Sequence, residues 1–302
     1  MAAKRSEQME GLIATIAASG MASADMDLFE RRAILSSLES QPVTGVTVEA
    51  VELGGVPVER LVPEGVLTDR ALLWLHGGAY TAGGPGSHRG FCSRLARRLS
   101  CEVVVVDYRL APEHPHPAAL KDARSVWSAL LETSEILAHR WIIGGDSAGG
   151  GLTTALLVEL REDGLPLPAA AVLLSPWADL AMTGASYETE ADRDPLCTRQ
   201  MLAQSAKAYL DGQDPTTPSA SPRYADLHGL PPLLIHVGEC EVLRDDSVAL
   251  AERAGADGTE VELWIAPGMI HVWHLFAGMV PESDLALERL TSFMDRELPE
   301  AG

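Results

Sequence analysis

Cysteine is scarce, cationic side chains are outnumbered and long apolar runs are missing, and each shortage excludes a class of function. Only four cysteines occur, Cys92, Cys101, Cys197 and Cys240. None stands in C-x-x-C spacing or beside a histidine pattern, so the chain reads as having no zinc site, no redox pair and no metal or other cofactor. Free thiols in a reducing cytoplasm are the expectation. No apolar run approaches the roughly 18 residues that span a bilayer. Lys and Arg together number 23 against 43 Asp and Glu, a net charge of -20, so nucleic acid and anionic membrane surfaces would be repelled. Internal repeats and low-complexity tracts are missing too, which leaves an ordinary globular chain.

What the chain does have is apolar material. Of its 302 residues 46% are hydrophobic and 22% charged, enough to bury a large core as one α/β domain with a smaller attached element. Met9, Leu12, Ile13 and Ile16, then Leu28, Ile34, Leu35 and Leu38, are spaced for two amphipathic helices packed over something larger. Lys4-Arg5, the weakly apolar Leu12 to Ala18 and Ala22-Ser23-Ala24 imitate a signal peptide. Glu7 and Glu10 spoil its basic region and Ser19-Gly20 breaks its apolar part, so a cap helix is expected instead.

Thr47 to Leu53 and Val56 to Val62 alternate about Gly54-Gly55, the pattern of a hairpin at the antiparallel edge of a sheet. Ala71 to Leu75 and Glu102 to Tyr108 are nearly continuous apolar runs, as parallel strands buried on both faces require. Phe91 to Leu99 between them reads as a helix. The alternation continues with a helix near 120–131, a strand before Ser147 and a helix after it. Strands at 170–174, 233–237 and 261–265 follow, then a closing helix over 284–294. The expected fold is a doubly wound α/β sheet, eight-stranded, mostly parallel and flanked by helices. Residues 185–225 break the alternation with proline, serine and acidic residues around one helix, and read as an insertion.

Gly145-Asp146-Ser147-Ala148-Gly149 fits G-x-S-x-G between that strand and helix. The serine of such a turn is cramped, only residues without side chains can stand two positions either side, and the Ala148 N–H lies where an oxyanion would develop. A short motif recurs by chance, so context decides. In an open parallel sheet, functional groups collect at the carboxyl ends of strands. His76-Gly77-Gly78-Ala79-Tyr80 follows one strand, and Gly77 and Gly78 with Ala148 are the candidate oxyanion donors. Gly238-Glu239-Cys240-Glu241-Val242-Leu243-Arg244-Asp245-Asp246 follows the next-to-last strand, and His271 the last. Serine, acid and histidine therefore run in that order, 94 residues from Ser147 to Glu241 and 30 more to His271. A serine hydroxyl needs a base to take its proton, and the base needs a carboxylate to fix its tautomer. Glu241 fits the register better than Asp245, which is expected to hold loop structure, and His271 better than His274. His76, His114 and His116 are expected to organise loops.

These motifs resemble the microbial hormone-sensitive-lipase-like esterases, the family IV carboxylesterases of the α/β-hydrolase fold. The likeness rests on His76-Gly77-Gly78-Ala79, Asp107-Tyr108-Arg109-Leu110-Ala111-Pro112-Glu113, Gly145-Asp146-Ser147-Ala148-Gly149-Gly150, Ser175-Pro176-Trp177 and Gly229-Leu230-Pro231-Pro232, and covers roughly residues 45 to 297. It implies Ser147 as nucleophile, His271 as base, an acid after Val237, the three oxyanion amides, and a homodimer through the last strand and helix. It also implies a helical cap from residues 1–45 and 185–225 over a catalytic domain of residues 46–184 and 226–302. Two departures stand out: Ala79 replaces a third glycine, narrowing the acyl side, and the usual Asp-Pro-Leu becomes Glu241-Val242-Leu243.

The expected activity is hydrolysis of short- to medium-chain acyl esters through an acyl-enzyme. Tyr80, Trp177, Met21 and Met26 are candidates for a small apolar substrate pocket, though as core residues they would be equally ordinary. An amidase, lactonase or carbamate hydrolase would use the same triad. A ligand-binding receptor on this fold would lack the activated serine.

Overall fold

The computed structural model describes residues 5–23 and 26–299. Lys4 and Ala24, which belong to the signal-peptide imitation, lie outside them, as do the rest of residues 1–4 and 24–25 of the expected first cap segment.

Two helices come first. α1 (Glu7–Ser19) is capped by the Ser6 hydroxyl, which accepts the Met9 N–H, and ends at Gly20 in the left-handed region. α2 (Leu28–Ser37) opens with a reciprocal capping box between Asp27 and Glu30. Met9 is buried among Ala266, Met269, Ile270 and Trp273, so α1 packs as its spacing predicts. α2 differs: its buried residue is Arg31, and Leu38 is 56% exposed.

The strands are β1 (Val46–Leu53), β2 (Val56–Pro63), β3 (Leu67–Leu75), β4 (Cys101–Val106), β5 (Trp141–Asp146), β6 (Ala170–Leu174), β7 (Leu233–Gly238) and β8 (Val261–Ala266). They form one eight-stranded sheet in the order β1-β2-β4-β3-β5-β6-β7-β8, antiparallel for β1, β2 and β4 and parallel from there on. The expected β4 runs two residues too far. Asp107 and Tyr108 leave the strand, and the Tyr108 hydroxyl donates to the His76 carbonyl at 2.6 Å while its ring stacks on His76.

The helices after β3 are α3 (Pro85–Leu99), α4 (Ala118–Thr133), α5 (Ala148–Glu162), α6 (Ser186–Thr189), α7 (Arg199–Leu210), α8 (Arg244–Ala256) and α9 (Pro281–Glu297). Side-chain alternation on the strands feeds two cores. Leu73 and Leu75 point to one with α4, α5 and α8, and Leu72 and Trp74 to the other with α3 and α9. α3 begins six residues before the expected Phe91, because Pro85 at its first turn needs no N–H donor there. Among the described residues no helix is long and apolar enough to cross a membrane.

α6 and α7 fill the insertion. It meets the N-terminal helices where the Thr198 hydroxyl donates to the Ala22 carbonyl, and Arg32 ties α2 to the loops after β3 and β4 through the Thr81 carbonyl and Glu113.

Candidate active site

Register brings the strand ends together. Leu75 of β3 pairs with Gly145 of β5, Asp146 with Leu174 of β6, Leu174 with His236 of β7, and Gly238 with Ala266 of β8. The candidate triad and oxyanion residues each follow one of these positions.

Ser147 joins β5 to α5 at φ 53, ψ -120, a conformation outside the regions open to ordinary L-residues. The glycines around it explain how the turn closes. A Cβ on Gly149 would lie 1.9 Å from the Leu75 carbonyl oxygen, and one on Gly145 would lie 2.4 Å from that of Gly149. The turn is locked by the Ser147 N–H donating to the Leu174 carbonyl at 2.8 Å and by the Trp177 N–H donating to the Ser147 carbonyl at 2.9 Å.

Ser147 Oγ is 3.0 Å from His271 Nε2, and His271 Nδ1 is 2.9 Å from Glu241 Oε2. A carboxylate can only accept, so Nδ1 carries the proton and Nε2 is free to accept the Ser147 hydroxyl. The far oxygen, Glu241 Oε1, accepts the Ser175 hydroxyl at 2.7 Å and the Gly238 N–H. All three side chains are buried, Glu241 completely. Burial pushes the Glu241 carboxyl up, with His271 opposing. Burial works against charge on His271 too, but the adjoining Cys197 and Glu241 outweigh it and hold the imidazolium well above the ordinary histidine range.

The competing residues are engaged elsewhere. Asp245 accepts the Ser186 N–H at 2.9 Å, and His274 Nε2 is 3.2 Å from His236 Nδ1, with burial pushing His274 well down. His76 Nδ1 stands 2.8 Å from the Gly77 carbonyl, and His116 Nδ1 2.9 Å from Gln213 Oε1.

The Gly77 N–H lies 3.4 Å from His88 Nε2, which carries a proton towards the Asp146 carboxylate and so cannot accept it. The Gly78 and Ala148 amides have no hydrogen-bond partner among the described residues. His88 also approaches Asp146 Oδ2 at 3.1 Å, and Asp146 Oδ1 accepts the Trp74 indole N–H at 3.1 Å. This buried network joins the residue before Ser147 to the oxyanion loop, and no spacing in the sequence points to His88. Ser175 opens the Ser175-Pro176-Trp177 motif, and no spacing in the sequence points to its bond with Glu241.

Tyr80 is buried, stacks on Tyr209 with centroids 3.8 Å apart and lies 6.0 Å from Trp177. Met21 and Met26 are half-buried, and their carbonyls accept from Arg31. A cavity of 510 Å³ between α2, the β1–β2 hairpin and the start of α3 is lined by none of these four residues and none of the triad. The four cysteines are unpaired and buried. Among the described residues no three His, Cys, Asp or Glu side chains are grouped to hold a metal ion.

Comparison with known proteins agrees with this fold. Residues 72–275 match a family model described as alpha/beta hydrolase fold. The chain is 47% identical over 225 residues to an acetyl-hydrolase of Streptomyces hygroscopicus, covering 74% of this chain and 75% of that one. It is 35% identical over 249 residues to an esterase of Acinetobacter venetianus, covering 82% of each. An esterase from the bacterial hormone-sensitive lipase family superposes with a TM-score of 0.92 at 39% identity, over 98% of this chain and 100% of that one. The chain belongs to the α/β-hydrolase family, and within it is a serine carboxylesterase of the hormone-sensitive-lipase type.

Proposed function

We propose that Ser147 is the nucleophile, His271 the base and Glu241 the orienting acid in hydrolysis of short- to medium-chain acyl esters. The observation that carries this reading is the unbroken line from Ser147 Oγ through His271 to Glu241 Oε2, at 3.0 and 2.9 Å. As Oγ bonds to the ester carbonyl carbon, its proton passes to His271 Nε2, and the carbonyl oxygen takes the negative charge. The amides of Gly77, Gly78 and Ala148, the last at the start of α5, receive that charge. The alcohol leaves with the proton from His271, and water then repeats the cycle on the acyl-enzyme.

Residues 1–45 and 185–225 act as the cap and residues 46–184 and 226–302 as the catalytic domain. Tyr80, Trp177, Met21 and Met26 line the substrate side, with the Ala79 methyl narrowing the acyl end. The four unpaired thiols support a reducing, cytoplasmic location. A homodimer through β8 and α9 is supported by β8 ending the sheet, with Ile265 40% and Leu285 49% exposed.

The test is turnover of p-nitrophenyl acyl esters graded by chain length. Turnover is expected to peak at short chains, vanish in Ser147→Ala and collapse in Glu241→Ala but survive in Asp245→Ala. Turnover surviving in Ser147→Ala refutes the mechanism, and an essential Asp245 refutes the assigned acid.

A further inference from the structure

One buried carboxylate beside the triad has no part in the scheme above. Asp194 lies between α6 and α7 and is 5% exposed. Its Oδ1 accepts the Leu196 and Cys197 N–H groups, each at 3.0 Å, and its Oδ2 accepts the Val242 N–H at 3.0 Å. Val242 directly follows Glu241, so a single carboxylate ties the segment entering α7 to the loop that carries the acid. The Cys197 amide is held by the same carboxylate, and its buried side chain adjoins His271.

We propose that Asp194 is a positioning residue for ester hydrolysis, clamping the segment before α7 onto the Glu241 loop and adding a second buried negative charge beside the His271 imidazolium. The inference rests on the triad reading. The physical case is one of charge. His271 is faced by Ser147 from the turn before α5, by Glu241 from the loop after β7, by Cys197 from the insertion, whose amide Asp194 holds, and by the neutral His274 one turn on. Before reaction the two carboxylates repel each other across a neutral imidazole. When the Ser147 proton reaches His271 Nε2, the new cation lies in the field of both, and part of that repulsion is relieved. Charge that becomes favourable only as the reaction proceeds accelerates it. Burial pushes the Asp194 carboxyl up, whereas His271 and the three amide donors favour its ionised form.

The experiment is the pH profile of p-nitrophenyl acetate hydrolysis by the full chain carrying Asp194→Asn, Asp194→Glu or Ser147→Ala. Asp194→Asn is expected to lower kcat about tenfold and to move the acid limb of kcat/KM to lower pH by about one unit, since a nearby opposite charge shifts a pKa by that order. Asp194→Glu keeps the charge but displaces the clamp. It is expected to restore the limb while leaving kcat down by about threefold or more, as small misplacements do. A folded Asp194→Asn enzyme whose limb stays at the wild-type pH overturns the proposal, because a merely structural role would lower activity without moving the limb. If Asp194→Asn does not fold, Asp194→Glu decides: wild-type kcat there overturns the clamp. Turnover surviving in Ser147→Ala would instead sink the triad reading beneath it.

Discussion

Ser175→Ala tests how tightly the acid must be held. The Ser175 hydroxyl is fully buried, donates to Glu241 Oε1 at 2.7 Å and accepts the Val272 N–H at 3.2 Å. It therefore braces both the carboxylate and the residue after His271, and Val272 itself sits at φ 44. A hydrogen bond to a charged group contributes about 1.5–3 kcal/mol. The Gly238 N–H still holds Oε1 in the variant, so the carboxylate is loosened rather than released. If the whole contribution bears on the transition state, kcat falls about 10- to 100-fold, at roughly 1.4 kcal/mol per decade. KM should stay near wild type, because Ser175 touches the triad and not the ester. The orphaned Val272 N–H costs about 1–3 kcal/mol of stability. That lowers Tm by about 2–6 °C for a chain of this size. Steady-state hydrolysis of p-nitrophenyl acetate and a thermal melt read both effects. A kcat within threefold of wild type, or a loss confined to KM, refutes the claim that Glu241 depends on this brace.

Two further outcomes follow from the same geometry. The base must be neutral to accept the Ser147 proton, and the imidazolium of His271 is held well above 6.5, so the acid limb of kcat/KM in the wild-type enzyme should lie on the alkaline side of that value; a limb centred below it contradicts the assignment. His88→Ala leaves the Asp146 carboxylate buried with only Trp74 as a side-chain donor, at about 3–5 kcal/mol for breaking a buried pair. Burial opposes the charge on His88 but Asp146 raises its pKa above 6.5, while His88 and Trp74 overcome burial to lower Asp146 below 3.8. The His88 contribution is thus complete below 6.5 and fades as pH rises through the raised value, and that of Asp146 is complete above 3.8. Melts of wild type and His88→Ala should differ most between those values and less as pH rises beyond them; a difference that grows with pH contradicts the pairing.

What could be read in advance divides by the range of the forces involved. Ser147 was legible because its backbone conformation and the close approach of β3 to the turn leave room only for glycine at 145 and 149, a local demand written in five consecutive residues. The parallel strands were legible because burial on both faces removes polar alternation, as in Val103 to Val106. Glu241 over Asp245 needed only the register of one loop. The His88–Asp146 pair beneath the oxyanion loop was not legible for the opposite reason: it joins a side chain on α3 to the residue before Ser147, and no glycine pattern announces it. Likewise α3 starts among Gly, Ser and His residues that imitate a loop, and its first turn is fixed by packing and by Pro85.

Ser175 and Asp194 show why the support around a triad is harder to see than the triad itself. The proposed nucleophile, base and acid each belong to a residue type that the chemistry requires, so type and strand order together single them out as candidates. Ser175 acts on a carboxylate 66 positions away and Asp194 on an amide 48 positions away, through a hydroxyl and a carboxylate of kinds found throughout the chain. Only the sheet order, which sets β6 beside β7, brings Ser175 to Glu241. Only the fold-back of the insertion brings Asp194 to Val242. On the proposed scheme the insertion, by binding the loop that carries Glu241 through Asp194, couples its own docking to the geometry of His271, and a substitution in residues 190–198 should be felt in kcat as well as in substrate affinity.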